Sequence, residues 1–356
     1  MHPAIELRDH SSALRAAGCR AEADAVLEAA FSMAFILDQG GLPCACKIGS
    51  PESLSHPLAS PAHGVVQICR RSVLVFFASG VEETTLMSLR AFGMFARLFS
   101  QIAARLPDEG IYQLIVNFSD GCETEGAYRR ASYSCSRPDS ILVPDYHFTN
   151  SRGYSRLRAV PLTPWNERRD IVFWRGGGIG RLSCPPDGES WRWNQRMDLC
   201  HHAQQSRFGD KLDIGVADHA GILDPAQKAR IEAAGFIKPF VPKETFADYR
   251  YQIDIDGWSN SWVLLEKLIM GSTILKIGSA FGYRQWFYDR LKPWQDYVPV
   301  RADLADFEET LAWLFAHPAE AEAIARNGQV LAADIRYETE MPAAERRLEE
   351  ALTPIR

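Results

Sequence analysis

The feature that most constrains this chain is the alternation in its second half. Short apolar, β-branched runs at 170–175, 212–216, 252–255, 273–277 and 297–300 are separated by polar turns and stretches with helical spacing. Strands that recur with helices between them build a parallel sheet covered on both faces. Helical spacing is read over 191–206 and 260–270, a helical turn over 246–251, and three closing helices over 305–315, 318–332 and 340–352. The first half alternates less regularly. It offers helices at 10–38 and 84–105 and strands at 65–69, 72–77, 112–118 and 141–145, with a Gly-, Pro- and Ser-rich loop over 40–61. The arginine-rich segment 150–169 has few apolar runs and reads as an interdomain connection. The expected architecture is α/β, two Rossmann-like doubly wound domains facing a cleft. The expected bounds are 1–160 and 165–335, with 336–356 a C-terminal helix able to pack back on the first domain. A length of 356 residues suits two domains, at roughly 150 residues each.

Composition narrows the function. A net charge of −6 argues against a dedicated nucleic-acid binder but not against a basic pocket for an anionic small molecule. Eight cysteines form no Cys-x-x-Cys pair and no zinc-finger spacing, so reduced thiols in a cytoplasmic setting are expected. The start, Met1-His2-Pro3-Ala4-Ile5-Glu6, shows no secretory leader. No apolar run approaches the roughly 20 residues that span a bilayer. Peripheral contact with the inner membrane face is left open.

Five stretches could carry chemistry. Phe173-Trp174-Arg175-Gly176-Gly177-Gly178-Ile179-Gly180-Arg181 runs from a strand into glycines that would let the backbone approach a phosphate, flanked by Arg175 and Arg181. It is neither a dinucleotide fingerprint nor a Walker A loop, which counts against a dinucleotide-dependent oxidoreductase, and a bare turn reads the same way. Asp254-Ile255-Asp256-Gly257-Trp258-Ser259-Asn260-Ser261-Trp262 places a polar turn at a strand's C-terminal end, where open α/β sheets hold ligands. Its Asp-x-Asp spacing can hold a divalent cation or simply face a loop. Glu266 could accept ribose hydroxyls, or form a solvated pair with Lys267. Asn117-Phe118-Ser119-Asp120-Gly121 ends a buried strand; Asp120 could serve as a general base or only start a turn. Tyr283 and Arg284 belong to an aromatic, basic stretch that suits sugar rings or plain packing.

Several of these strings occur together in a known order. Phe173-Trp174-Arg175-Gly176, then Asp254-Ile255-Asp256-Gly257, Gly271-Ser272-Thr273-Ile274-Leu275-Lys276, and above all Leu291-Lys292-Pro293-Trp294-Gln295-Asp296-Tyr297-Val298-Pro299-Val300 resemble glycosyltransferase family 90. That family includes protein O-glucosyltransferases, capsule-associated xylosyltransferases and bacterial enzymes linked to lipopolysaccharide or other surface glycans. The resemblance covers 165–335, thins over 110–160 and is absent before about 105. It implies a B-type glycosyltransferase that transfers a sugar, glucose or xylose, from a UDP-sugar with inversion and no required metal. The acceptor would be a glycan, lipid-linked or protein hydroxyl. It also implies a catalytic base from an Asn-x-x-Asp context, which Asn117 and Asp120 match. Donor binding would then fall to Arg175, Gly176, Gly177, Arg181, Asp256, Gly257, Ser259, Asn260, Ser261, Trp262, Glu266, Tyr283 and Arg284. One departure stands out: where protein-modifying members carry an arginine, this chain reads Ser261-Trp262-Val263-Leu264. A manganese-dependent enzyme using Asp254 and Asp256, and an inactive nucleotide-sugar-binding scaffold, remain the alternatives.

Overall fold

A computed structural model describes residues 45–48, 63–70, 72–77, 86–106, 110–117, 121, 130–183, 190–217 and 225–355. The expected helix at 10–38 and the expected base Asp120 lie outside them. The chain divides into two compact units, Met1–Gly153 with Tyr337–Arg356, and Tyr154–Arg336.

The first unit is built on a mixed sheet of β1 (Ala45–Ile48), β2 (His63–Cys69), β3 (Ser72–Phe77), β4 (Tyr112–Asn117), β5 (Arg130–Ser132) and β6 (Ile141–Leu142). The order is β1-β3-β2-β4-β5-β6. β2 runs antiparallel to both β3 and β4, while β4, β5 and β6 run parallel. The hairpin between β2 and β3 follows from a connection too short for a parallel crossover. Helix α1 (Leu86–Arg105) buries Phe95, Leu98, Phe99 and Ile102, the i, i+3, i+4, i+7 stripe of a helix that covers a sheet. Each such side chain contributes about 1.5–3 kcal/mol of burial. Helix α2 (Tyr146–Asn150) is capped by Asp145, whose carboxylate accepts from the Phe148 N–H at 2.9 Å.

The second unit is the more regular. After α3 (Ser155–Arg158) come β7 (Arg169–Gly176), α4 (Gln195–Gln205), β8 (Leu212–Ala217), α5 (Pro225–Ala233) and β9 (Ile237–Lys238). Then follow β10 (Tyr249–Asp254), α6 (Leu264–Ile269), β11 (Thr273–Ile277), β12 (Val298–Val300), α7 (Phe307–Ala316) and α8 (Pro318–Asp334). The six strands are all parallel in the order β12-β11-β10-β7-β8-β9. In order of appearance this is 6-5-4-1-2-3, the doubly wound Rossmann order, with its switch point between β7 and β10. Tyr251 and Ile253 are fully buried because helices cover both faces.

Two local expectations shift. The helical turn expected at 246–251 is a 3-10 helix over Lys243–Asp248, and the strand already begins at Tyr249. Tyr251 faces the core as a strand residue there, which outweighs the local pattern. The helix expected from 260 begins only at Leu264, because Asp256 draws the Ser261 N–H into a turn at 3.2 Å.

The last helix, α9 (Tyr337–Ala351), belongs to the first unit, where Arg105 on α1 pairs with Glu345 at 2.7 Å and Glu349 at 3.2 Å. The strand β13 (Thr353–Pro354) adds to β4.

Candidate functional site

The switch point concentrates polar chemistry at the C-terminal ends of β7 and β10. β7 ends in Gly176, whose missing side chain is structural: a Cβ there would lie 2.7 Å from the Trp174 ring. The loop that follows and the loop after β10 are laced together. The Arg181 N–H donates to the Gly257 carbonyl at 3.0 Å, and the Gly257 N–H to the Ser259 carbonyl at 2.9 Å.

The N-terminus of α4 does most of the lacing. Asn194 caps the helix by accepting from the Arg196 N–H at 2.9 Å, while its amide donates to the Gly178 carbonyl at 3.1 Å. Gln195 reaches the carbonyls of Gly278 and Ala302, beyond β11 and β12, at 2.9 and 2.8 Å. Arg196 donates from Nη1 to the Gly177 carbonyl at 2.9 Å and from Nε to the Asp256 carbonyl at 2.8 Å. One guanidinium thus fixes the spacing of the two loops at the switch point. A Cβ on Gly257 would sit 2.8 Å from Arg196 Nη2, so a larger residue there would push against that guanidinium. Sequence reasoning missed Asn194, Gln195 and Arg196. An asparagine before a helical stretch is a capping signal, but nothing local tells which loops its neighbours reach.

Arg181 and Tyr283 do come together. The Arg181 Nη1 donates to the Tyr283 hydroxyl at 3.0 Å, and its guanidinium lies 4.4 Å from the centre of the Phe281 ring. Tyr283 is buried, its N–H bound to the Ser279 hydroxyl at 2.8 Å. Arg284 stands apart, paired with Asp289. Trp258 is exposed and Trp262 half-buried in the same turn as Ser259, Asn260 and Ser261, which are buried.

Arg175 leans the other way. It donates to Asp213 on β8 at 2.7 Å, to the Pro239 carbonyl past β9 at 3.1 Å and to the Trp174 carbonyl at 3.1 Å. Both β8 and β9 lie on the far side of β7 from β10, so Nε and Nη2 are engaged away from the switch point and Nη1 on β7 itself. Partial burial opposes the charge on Asp213, but the bonds from Arg175 and Lys238 hold its carboxyl below the usual carboxylate range.

The Asp-x-Asp pair separates into two environments. Asp254 is fully buried, with Lys267 Nζ 3.2 Å from one oxygen and Lys276 Nζ 3.6 Å from the other. Burial alone would raise its carboxyl, yet the two ammoniums hold it low. Lys267 also donates to the Ile253 carbonyl at 2.6 Å, which rules out a solvated Glu266–Lys267 pair. A carboxylate flanked by two ammoniums is a poor cation ligand. Among the described residues, no group of three or more His, Cys, Asp or Glu side chains could hold a metal ion. Asp256 is pushed up to about 6 by burial, with Lys276 pulling the other way. Glu266, also raised by burial, is paired with Lys243.

The motif Leu291-Lys292-Pro293-Trp294-Gln295-Asp296-Tyr297 lies before β12. Asp296 accepts from the Lys292 N–H at 2.8 Å and the Trp294 N–H donates to the Tyr297 carbonyl at 2.8 Å. Its role is to close the loop that enters the sheet.

The sequence profile described as Glycosyl transferase family 90 matches residues 137–339, more than half of the chain and all of the second unit. The chain belongs to glycosyltransferase family 90. Protein O-glucosyltransferase 3 of Homo sapiens is 34% identical over 213 residues, which cover 56% of this chain and 37% of that protein. Uncharacterized protein 027R of Frog virus 3 (isolate Goorha) is 30% identical over 227 residues, covering 54% of this chain and 22% of that protein. The match therefore spans well under half the length of either relative. Among solved structures, Anabaena Alr3699/HepE in complex with UDP-glucose aligns at a TM-score of 0.33 and 14% identity, over 51% of this chain and 48% of that one. In this family-90 chain the matched region carries the switch point and every loop that Arg196 and Gln195 tie together. No helix among the described residues is long and apolar enough to cross a membrane.

Proposed function

We propose that this chain is an inverting O-glycosyltransferase that moves a sugar from a UDP-sugar to a hydroxyl of a glycan, lipid-linked or protein acceptor. The observation that carries the reading is the coincidence of the family match with a Rossmann unit whose switch point is lined by Arg181, Arg196 and a polar turn. Glucose is the favoured sugar, because relatives of this chain are named protein O-glucosyltransferases.

The chemistry follows from charge. The acceptor oxygen attacks the anomeric carbon as the bond from that carbon to the diphosphate oxygen breaks, and UDP leaves with the electron pair. The acceptor proton passes to a carboxylate, for which the family resemblance nominates Asp120. Positioned guanidiniums stabilise the leaving diphosphate, and Arg181 is the candidate for that part, while Arg196 ties the two loops together. Arg175, spent on Asp213 and two carbonyls, serves to hold β7 against β8 and β9. The reading routes no step through a cation at Asp254, whose oxygens face Lys267 and Lys276.

The test is release of UDP from UDP-glucose, UDP-xylose, UDP-galactose and UDP-N-acetylglucosamine, with and without EDTA. Slow hydrolysis of one donor, unaffected by EDTA, is expected. Asp120→Asn should lower turnover about 10²- to 10⁴-fold, the usual contribution of a general base, with UDP affinity retained. Release abolished by EDTA would favour the Asp-x-Asp enzyme, and binding without any turnover the inactive scaffold.

A further inference from the structure

The loop over 291–297 carries one side chain that closing the loop does not explain. Trp294 holds a left-handed backbone at φ 62°, a conformation that glycine adopts freely and a bulky residue rarely does. The loop fixes it there. The Trp294 N–H donates to the Tyr297 carbonyl at 2.8 Å, and the Gln295 carbonyl accepts from Asn327 Nδ2 on α8 at 3.1 Å. The indole meets Trp313 on α7 edge to face, with ring centres 4.8 Å apart, and the Trp313 ring stacks in turn on His317 at 5.1 Å. An edge-to-face contact covers at most one side of an indole, and Trp294 is 50% exposed. Backbone strain and an aromatic ring in water thus meet at one residue, and strained positions of this kind cluster at ligand sites.

Place and surroundings select the ligand. The loop precedes β12, so Trp294 stands at the N-terminal end of the parallel sheet, the end opposite the switch point. Its exposed neighbours in the loop and on α8 are few: Pro293, Gln295, Asn327 and, one turn farther along α8, Val330. Lys292 is the single charge between 291 and 295, and Arg326 beside Asn327 is paired with Glu322. A stable protein interface needs about 800 Å² per partner, a membrane-lying face needs several apolar tips with a basic rim, and a nucleic-acid strand needs a basic groove. Among the described residues this loop offers none of these. One indole rimmed by neutral amides matches one pyranose ring. The axial C–H groups of such a ring form an apolar, slightly positive face for the negative face of the indole, and its hydroxyls both donate and accept toward the amides. Resting on the glycosyl-transfer reading above for the kind of chain that would arrive, we infer that Trp294 and Gln295 form a second sugar-binding point, remote from the reacting end. It holds one neutral sugar unit of a glycan acceptor, and so favours acceptors of several units.

The experiment is calorimetric titration of the full chain with maltoheptaose, cellohexaose and xylohexaose, with and without saturating UDP, comparing wild type with Trp294→Gly, Trp294→Phe and Gln295→Ala. Wild type should bind at least one of the three with a Kd of about 1 mM or below, and equally well with UDP present. Trp294→Gly suits the left-handed backbone and should weaken that binding about tenfold or more, as for one lost stacking contact. Trp294→Phe keeps an aromatic face and should recover part of it, and Gln295→Ala should bind about two- to threefold more weakly than wild type. UDP release from the donor should be the same in all four proteins. Equal binding by wild type and Trp294→Gly overturns the proposal, as does the absence of binding to all three oligosaccharides. Binding that UDP abolishes overturns it too, because the sugar would then lie at the switch point. A loss in Trp294→Gly that Trp294→Phe does not recover also overturns it, since the loop and not the ring would be responsible. The donor reading fails separately: a chain that binds an oligosaccharide through Trp294 but does not bind UDP keeps this site and loses that reading.

Discussion

Asp256 keeps its charge at a cost the fold does not refund. Burial raises its carboxyl from the ordinary 3.8 to about 6, so the folded state holds a proton more tightly than the unfolded chain. The linkage has one sign: the contribution is stabilising below the unfolded value and is lost as pH rises through the folded one. Lys276 and the hydrogen bonds from the Ser279 side chain and the Ser261 N–H lower it, Asp254 raises it, and together they do not cancel the burial. Asp256→Asn should therefore be more stable than wild type by about 1–3 kcal/mol at pH 7.5. The gain should shrink as pH falls below about 6 and vanish near pH 4, as thermal melts across that range would show. A gain independent of pH would mean the carboxylate is not what destabilises the turn. Asp256 was legible in the sequence as a polar position at a strand end. Its desolvation was not, because that depends on Arg196, Gly257 and the covering loops, which come from distant parts of the chain.

Among the elements, the packing of α8 against α6 is close enough to probe. Gly328 lies in the middle of α8, where alanine would normally favour a helix by about 1 kcal/mol. A Cβ there would fall 2.7 Å from the Asp296 carbonyl oxygen and 2.8 Å from the Leu268 side chain. The carbonyl belongs to the loop closed by the Lys292–Asp296 bond and cannot retreat. Overpacking should win, and Gly328→Ala should lose about 1–3 kcal/mol in denaturant unfolding. Neutral or improved stability would show that the loop before β12 is softer than its hydrogen bonds suggest. The same loop explains why the Leu291–Tyr297 string is so distinctive in sequence. Lys292, Trp294, Asp296 and Tyr297 hold one another's backbones, so the motif records a rigid entry to β12. The helix expected from residue 260 failed at its start for the converse reason: Asp256, outside the helical window, takes the Ser261 N–H.

At the scale of the molecule, the chain leaves the first unit, builds the second from Tyr154 to Arg336, and returns. The return is anchored by α9, whose Leu348 and Ala344 are fully buried, and by the ion pairs of Arg105. Leu348→Ala should destabilise the first unit by about 2–4 kcal/mol while UDP affinity at 25 °C stays within about twofold of wild type. Calorimetry should then show an early transition moving down and a later one held in place. A single transition shifting as a whole would mean the two units unfold together.

The sequence by itself determined the α/β class and the positions of most strands and helices of the second unit, because periodicity, β-branching and glycine placement act over a few residues. It also carried the family, since the loop strings are local rigid structures. Only the tertiary structure decided which charges reach the switch point. Arg175 and Arg181 look alike in sequence, yet strand order turns the first toward Asp213 and the second toward Tyr283. Arg196, some 20 residues beyond the glycine loop, enters the site because parallel pairing of β7 with β10 brings Gly177 and Asp256 within one guanidinium's reach. Electrostatic role is set by three-dimensional neighbours and desolvation, and neither is written in any local window of the chain.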